Sequence, residues 1–108
     1  MDLSVITVTW NSANTITEQI RSVILGCNDL AYEQIIVDNA STDETVTLLQ
    51  KEFPDIDLMI NKTNQGFSVS NNQAAARATG DFLLFLNPDM RVSEGSLKLL
   101  VNWIRERR

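Results

Sequence analysis

The feature that most constrains this chain is a switch of apolar period that recurs four times: a short apolar or β-branched run, then a longer stretch with apolar residues at helical spacing. That alternation is the pattern of βα units on a mostly parallel sheet. Leu3 to Trp10 is dense in β-branched residues and stops at Asn11 and Ser12, which favour turns and helix starts, so it predicts the first strand. From Thr15, Ile16, Ile20, Val23 and Ile24 share one face of a helix ending at Gly26. Gln34 to Val37 predicts the second strand. Ser41 and Glu44 then have capping-box spacing, and Val46, Leu49 and Phe53 carry a helix from about Thr42 to Phe53. Ile56 to Ile60 predicts a third strand and Asn61 to Gly66 a loop. The alanine-rich Ser70 to Thr79 predicts a short third helix. Phe82 to Leu86 is continuously apolar, the pattern of a strand covered on both faces. Ser93 is placed to cap a last helix with the stripe Leu97, Leu100, Val101 and Ile104, and Arg105 to Arg108 reads as its solvated end.

At 108 residues the chain holds one core. Four such units joined by right-handed crossovers give a Rossmann-like, doubly wound three-layer α/β sandwich with strand order 3-2-1-4. Ligands of such sheets bind at the carboxyl ends of the strands where the winding reverses, here between the first and fourth strands. The residues to inspect are therefore Thr9, Trp10 and Asn11, then Asp38, then Asn87 and Asp89. Neither G-x-G-x-x-G nor G-x-x-x-x-G-K-[ST] occurs, so a dinucleotide turn and a P-loop are excluded. Charge narrows the chemistry further. The formal net charge is −5, against general nucleic-acid binding, and an anionic diphosphate needs backbone amides or a divalent cation at Asp89 to be held. No histidine is present, which removes His-based triads and His-ligated zinc. The lone Cys27 forms no internal disulfide and reads as an inert, half-buried loop thiol. No basic leader and no apolar run long enough for a membrane span is present, so a cytoplasmic setting is expected.

Each candidate also has a plainer role. Asp38 could cap the turn before the second helix, Asp89 beside Pro88 could be a turn residue, and Asn71 and Asn72 could simply start the third helix. Trp10 is expected to pack rather than to stack on a ligand.

Four collinear segments carry a likeness. Val8 to Ser12, Ile36 to Asp43, Asn64 to Phe67 with Asn71 and Asn72, and Gly80 to Asp89 together resemble family 2 glycosyltransferases with the A-type nucleotide-sugar fold, in their rhamnosyltransferase-like branch. The resemblance implies donor binding by a UDP- or dTDP-sugar site. Thr9, Trp10 and Asn11 would line the nucleotide, and Asp38 with Asn39 and Ser41 would meet the pyrimidine or ribose. Asn64, Gly66 and Asn71 would close over base and sugar, and Asn87 would border the diphosphate. Asp89 would hold Mg²⁺ or Mn²⁺. The family's inverting transfer to a saccharide or lipid acceptor also needs a general base.

Several positions depart from the family pattern. The D-x-D-type motif reads Asn87-Pro88-Asp89, with one carboxylate instead of two, Glu44 stands where glycine is usual, and Ala74 stands where another glycine is usual. The family's acceptor-binding second half and its base have no counterpart in these residues. The chain is thus expected to be a truncated donor-binding domain at residues 1–108, peripheral to a membrane only through partners. The alternative is a non-catalytic binding or assembly module of the same fold. The apolar fourth strand lies at the edge in the order 3-2-1-4, an aggregation hazard, and is expected to pair as a homo-oligomer or to contact a missing second half.

Overall fold

The computed structural model describes residues 1–107. Its elements are β1 (Leu3–Thr9), α1 (Ile16–Cys27), β2 (Tyr32–Asn39), α2 (Thr45–Glu52), β3 (Asp57–Asn61), α3 (Phe67–Arg77), β4 (Phe82–Phe85) and α4 (Ser96–Arg107). The four strands form one parallel sheet in the order β3-β2-β1-β4, as the alternation predicts. β1 is the hub, matched along its whole length to β2 from Leu3↔Tyr32 to Thr9↔Asp38, and to β4 from Leu3↔Phe82 to Ile6↔Phe85.

Successive strand residues point to opposite faces, and the side chains divide accordingly. On one face Leu3 and Val5 pack with Val23 and Cys27 of α1 and Leu97 and Val101 of α4, while Ile36 packs with Ile16, Ile20 and Leu49. On the other, Ile6, Ile35 and Val37 meet Ala74 of α3. Each fully buried Ile, Val or Leu contributes about 1.5–3 kcal/mol to this core. A polar seam separates the two clusters of the first face. Gln19 of α1, fully buried, donates through Nε2 to Thr7 Oγ1 at 2.7 Å and accepts at Oε1 from Gln34 Nε2 at 2.8 Å. Paired in this way, the three polar groups sit in the interior without an orphaned donor.

Several boundaries differ from the sequence expectation, each for a local reason. The capping box at Ser41 and Glu44 does not form, and α2 starts at Thr45. Ser41 Oγ donates instead to the buried carboxylate of Asp38, while Asp43 accepts from the backbone N–H of Thr45. α3 starts at Phe67 rather than Ser70, launched by Gly66 at φ +82°, a conformation suited to glycine. α1 runs through Gly26 to Cys27. Gly26 lies inside it because a Cβ there would stand 2.7 Å from Val92 Cγ2 of the segment before α4. Cys27 is accordingly a fully buried helix residue, and burial pushes its thiol up to about 11. The inward face of α1 takes Gln19 in place of Ile24, which is exposed.

The last helix starts at Ser96, not at a Ser93 side-chain cap, and Leu100 of the expected stripe is exposed. Arg105 is not a solvated end residue. It bridges Asp2 at 2.8 Å and Asp81 at 2.7 Å and lies over the Phe82 ring, tying α4 to the start of β1 and β4; Arg108 lies outside the described residues. Finally, β4 is not covered on both faces. Phe82 and Leu84 pack under α4, but Leu83 and Phe85 are exposed, because α3 covers β1 and β2 and stops short of the edge.

Candidate functional site

The carboxyl ends of β1 and β2 are joined side chain by side chain. Asp38, the penultimate residue of β2, has no accessible surface. Its Oδ1 accepts from Thr9 Oγ1 at 2.7 Å and from Ser41 Oγ at 2.6 Å, and its Oδ2 from the Ser41 backbone N–H at 2.9 Å. Asp38 therefore links the two loops in register from beneath, with both carboxylate oxygens engaged by Thr9 and Ser41. Thr9, also fully buried, has the same inward role.

Above this layer Asn11 takes a left-handed conformation, φ +48°, which asparagine tolerates. Its Oδ1 accepts from the backbone N–H groups of Thr42 and Asp43 at 2.8 and 3.2 Å, and its own N–H donates to Ser41 Oγ at 2.8 Å. Asp43 returns the link, accepting from the N–H of Ala13 at 3.2 Å. Burial pushes the Asp43 carboxyl up, but hydrogen bonds from Thr45 and Ala13 outweigh it and leave the group below its ordinary value. The β1 and β2 loops thus form one rigid rim. Trp10 stands on it with its side chain exposed, contrary to the packing role expected of it.

Asn39 organises the neighbouring wall. Almost fully buried, it accepts at Oδ1 from Ser70 Oγ at 2.8 Å and Asn61 Nδ2 at 3.0 Å, and donates from Nδ2 to the Gly66 carbonyl at 3.3 Å. The loop leading into α3 is thereby pinned to β2, with Asn64 and Gly66 exposed and joined by the Gly66 N–H to Asn64 Oδ1 bond at 2.9 Å. Asn71, half-buried, follows on α3.

Past the end of β4, Asn87 and Asp89 are exposed, and the Asn87 carbonyl accepts from the N–H of Met90 at 3.1 Å. Asp89 is the carboxylate free to meet a cation here. Among the described residues no group of three His, Cys, Asp or Glu is placed to hold a metal, so a cation at Asp89 must complete its shell from ligand oxygens and water. Magnesium accepts that arrangement, being commonly held by one or two carboxylates together with substrate phosphates.

The sheet ends thus bring Trp10, Asn11, Ser41, Asn64 and Gly66 to an accessible rim, with Asn87 and Asp89 past the adjoining strand. Thr9, Asp38 and Asn39 lie beneath as supports. Sequence reasoning missed Asn61, Ser70, Asp43 and the Gln19–Thr7–Gln34 seam. Thr7 and Gln34 carried a signal, as polar residues at interior positions of apolar strands. A hollow of about 490 Å³ lies at the opposite end of the sheet between Ile24, Tyr32 and Phe53, away from this rim.

One residue of the rim is strained. Ala40, between Asp38 and Ser41, has φ +60°, where a Cβ crowds the following carbonyl. Replacing Ala40 with glycine should remove that strain and stabilise the fold by about 0.5–1 kcal/mol. Thermal melting tests it, and a midpoint unchanged or lowered would count against the strain.

A parallel α/β sheet whose carboxyl ends form a polar rim at the winding reversal is the layout of a nucleotide-binding domain. The chain belongs to Glycosyl transferase family 2, whose sequence profile matches residues 4–108. It is 34% identical over 97% of its length to TuaG of Bacillus subtilis, a glycosyltransferase named for teichuronic acid biosynthesis. It is 33% identical over 98% of its length to the poly(ribitol-phosphate) beta-N-acetylglucosaminyltransferase TarS of Staphylococcus aureus. The crystal structure of S. aureus TarS residues 1–349 in complex with UDP-GlcNAc superposes on 98% of the chain with a TM-score of 0.83 at 32% identity. The chain spans 42% of TuaG, 19% of full-length TarS and 32% of that crystallised portion. Among the described residues no helix is long and apolar enough to cross a membrane.

Proposed function

We propose that residues 1–108 are the donor-binding domain of a glycosyltransferase that takes a UDP- or dTDP-sugar and passes its sugar, with inversion, to a saccharide or lipid acceptor. The observation that carries this is the rim at the ends of β1 and β2, locked by the hydrogen bonds of Asn11 and Asp38. Preorganisation of this kind lowers the ordering cost of binding. TarS, similar to this chain over nearly its whole length, has been crystallised with UDP and with UDP-GlcNAc, which supports a uridine nucleotide as the first ligand to test.

In this scheme Trp10 and Asn11 border the nucleoside, Ser41 and the Asn64 to Gly66 loop close its other side, and Asn71 adds an amide from α3. Asp38, Thr9 and Asn39 hold these groups in place. Asn87 and Asp89 border the diphosphate, with Asp89 the metal ligand. A bound Mg²⁺ or Mn²⁺ would neutralise charge on the diphosphate leaving group. The general base and acceptor contacts are assigned to the part of the relatives that this chain does not span. A cytoplasmic setting, with membrane association through partners only, goes with this reading.

Calorimetric titration with UDP in the presence of Mn²⁺ tests it. Saturable binding is expected, and Asp89→Ala should weaken the Mn²⁺-dependent part by at least about tenfold, the scale of one lost charged contact. A parent chain that binds neither UDP nor dTDP with Mn²⁺ present would remove the donor-site assignment.

A further inference from the structure

Asn87, Pro88 and Asp89 follow the point where the chain parts from β1. The β1–β4 ladder ends at Ile6↔Phe85, and the last bond across it runs from Leu86 N–H to the Ile6 carbonyl at 2.9 Å. Pro88 has no N–H to donate, and the Asn87 carbonyl closes a turn by accepting from Met90 N–H at 3.1 Å. Beyond Leu86, β1 no longer fixes where Asp89 stands.

Helix α1 takes over that role. Among the described residues, each hydrogen bond or ion pair that joins Asn87 to Val92 with another element goes to α1. Gln19 Nε2 reaches the Asn87 carbonyl at 3.5 Å, the long limit of such a bond. Glu18 pairs with Arg91 at 3.0 Å, and Ser22 Oγ accepts from Val92 N–H at 3.1 Å while donating to the Gln19 carbonyl at 2.7 Å. The Leu25 carbonyl then accepts from Gly95 N–H at 3.0 Å. Residues 18, 22 and 25 are four and three apart, one stripe of the helix. The start of the same helix is fixed to the rim. The Ser12 carbonyl accepts from the N–H groups of Thr15 and Ile16, and Ser12 N–H donates to Thr45 Oγ1 at 2.9 Å.

Gln19 is where these ties meet the core. Gln34 donates to its Oε1, which turns its Nε2 towards Thr7 and Asn87. One N–H of that amide serves Thr7 Oγ1 at 2.7 Å, and the other is left for the Asn87 carbonyl. Three polar side chains in an apolar interior add little net stability over apolar groups of the same shape, so orientation is the property they supply.

We propose that Gln19, with Ser22 beside it, is a positioning residue for Asp89. The seam sets where the Asn87 turn sits, and α1 carries that setting to the rim, keeping the carboxylate at a fixed spacing from the nucleoside side. The proposal rests on the donor-site reading above. Gln19 is fully buried and acts through the Asn87 carbonyl.

The test compares the parent with the triple variant Thr7→Val, Gln19→Met and Gln34→Met, which removes every polar group of the seam at nearly constant shape. Its melting temperature should stay close to the parent's. In UDP titrations with Mn²⁺ and with EDTA, the Mn²⁺-dependent gain in affinity should fall about tenfold or more, the scale for groups that orient a metal ligand. The metal-free affinity should stay within about twofold of the parent's, because the rim is untouched. Equal loss of both, or loss of neither, overturns the proposal. If the triple variant melts far below the parent, Ser22→Ala replaces it with the same selective loss expected and rescue by Ser22→Thr; an unchanged Mn²⁺ dependence there overturns the proposal. Amide exchange of the nucleotide-free chain decides independently of the donor site. Met90 N–H, whose acceptor is the Asn87 carbonyl, should exchange about fivefold faster in the triple variant, or in Ser22→Ala where that replaces it, while the amides of β1 and β2 keep their rates. Unchanged Met90 exchange overturns the positioning role, whereas a parent that binds no UDP removes only the donor-site assignment.

Discussion

Substituting Asp38 with alanine should lower stability by about 2–4 kcal/mol, because it strands the buried Thr9 hydroxyl and the Ser41 N–H without acceptors and leaves a void. For a domain of this size that is a fall in melting temperature of roughly 10–20 °C. Asp38→Asn is the informative companion. An amide nitrogen in place of Oδ1 can donate to the Thr9 and Ser41 hydroxyls, both of which can accept, while the remaining oxygen still receives the Ser41 N–H. The asparagine variant should therefore stay within about 1 kcal/mol of the parent and keep its nucleotide affinity. Thermal denaturation and UDP titration of both variants decide the matter. If Asp38→Asn folds normally but loses UDP, the carboxylate meets the ligand directly and its supporting role is wrong.

The second large effect is expected at Gly80, the residue that brings the chain back to β1. A Cβ there would lie 2.5 Å from Ser4 N and 2.7 Å from the Leu3 carbonyl carbon, both backbone atoms of the hub strand. Neither can move without breaking the β1–β4 register, and Gly80 N–H also donates to Ser4 Oγ at 2.8 Å. Gly80→Ala should cost about 3 kcal/mol, at or beyond the usual range for overpacking. Urea unfolding measures it. A loss below about 1 kcal/mol would mean that the close approach relaxes more cheaply than these contacts imply. The contrast is Gly95, where a Cβ meets no atom within 4 Å and the φ of +72° alone is at issue.

The order of the sheet, and with it the end at which the polar loops gather, was legible because it follows from apolar period and crossover handedness, properties spread over many residues. Boundaries set by single polar side chains were not. Ser41 and Glu44 have capping-box spacing, yet a buried carboxylate three residues back takes the Ser41 hydroxyl, and nothing in the local sequence ranks the two acceptors. Asp38 illustrates the same limit at the site. Its position was read correctly, but whether a strand-end aspartate faces out or in depends on Thr9 across the ladder, 29 residues away in sequence. The run Phe82 to Leu86 was read as an interior strand because composition reports how apolar a strand is, not what stands over it. Trp10 misled for the opposite reason, since a large aromatic is expected inside unless a rim of polar turns carries it outward.

The hub position of β1 has a consequence in time. Residues 3–9 leave the ribosome well before residues 82–85, so their β4 side stays unpaired until those arrive. Loop closure over such a separation is slow, and parallel pairing rewards it late. Until then the chain carries a nascent strand with one finished side and one open side. The bonds from Asp81 N–H to the Met1 carbonyl and from Gly80 N–H to Ser4 then act as the latch that ends this exposed interval.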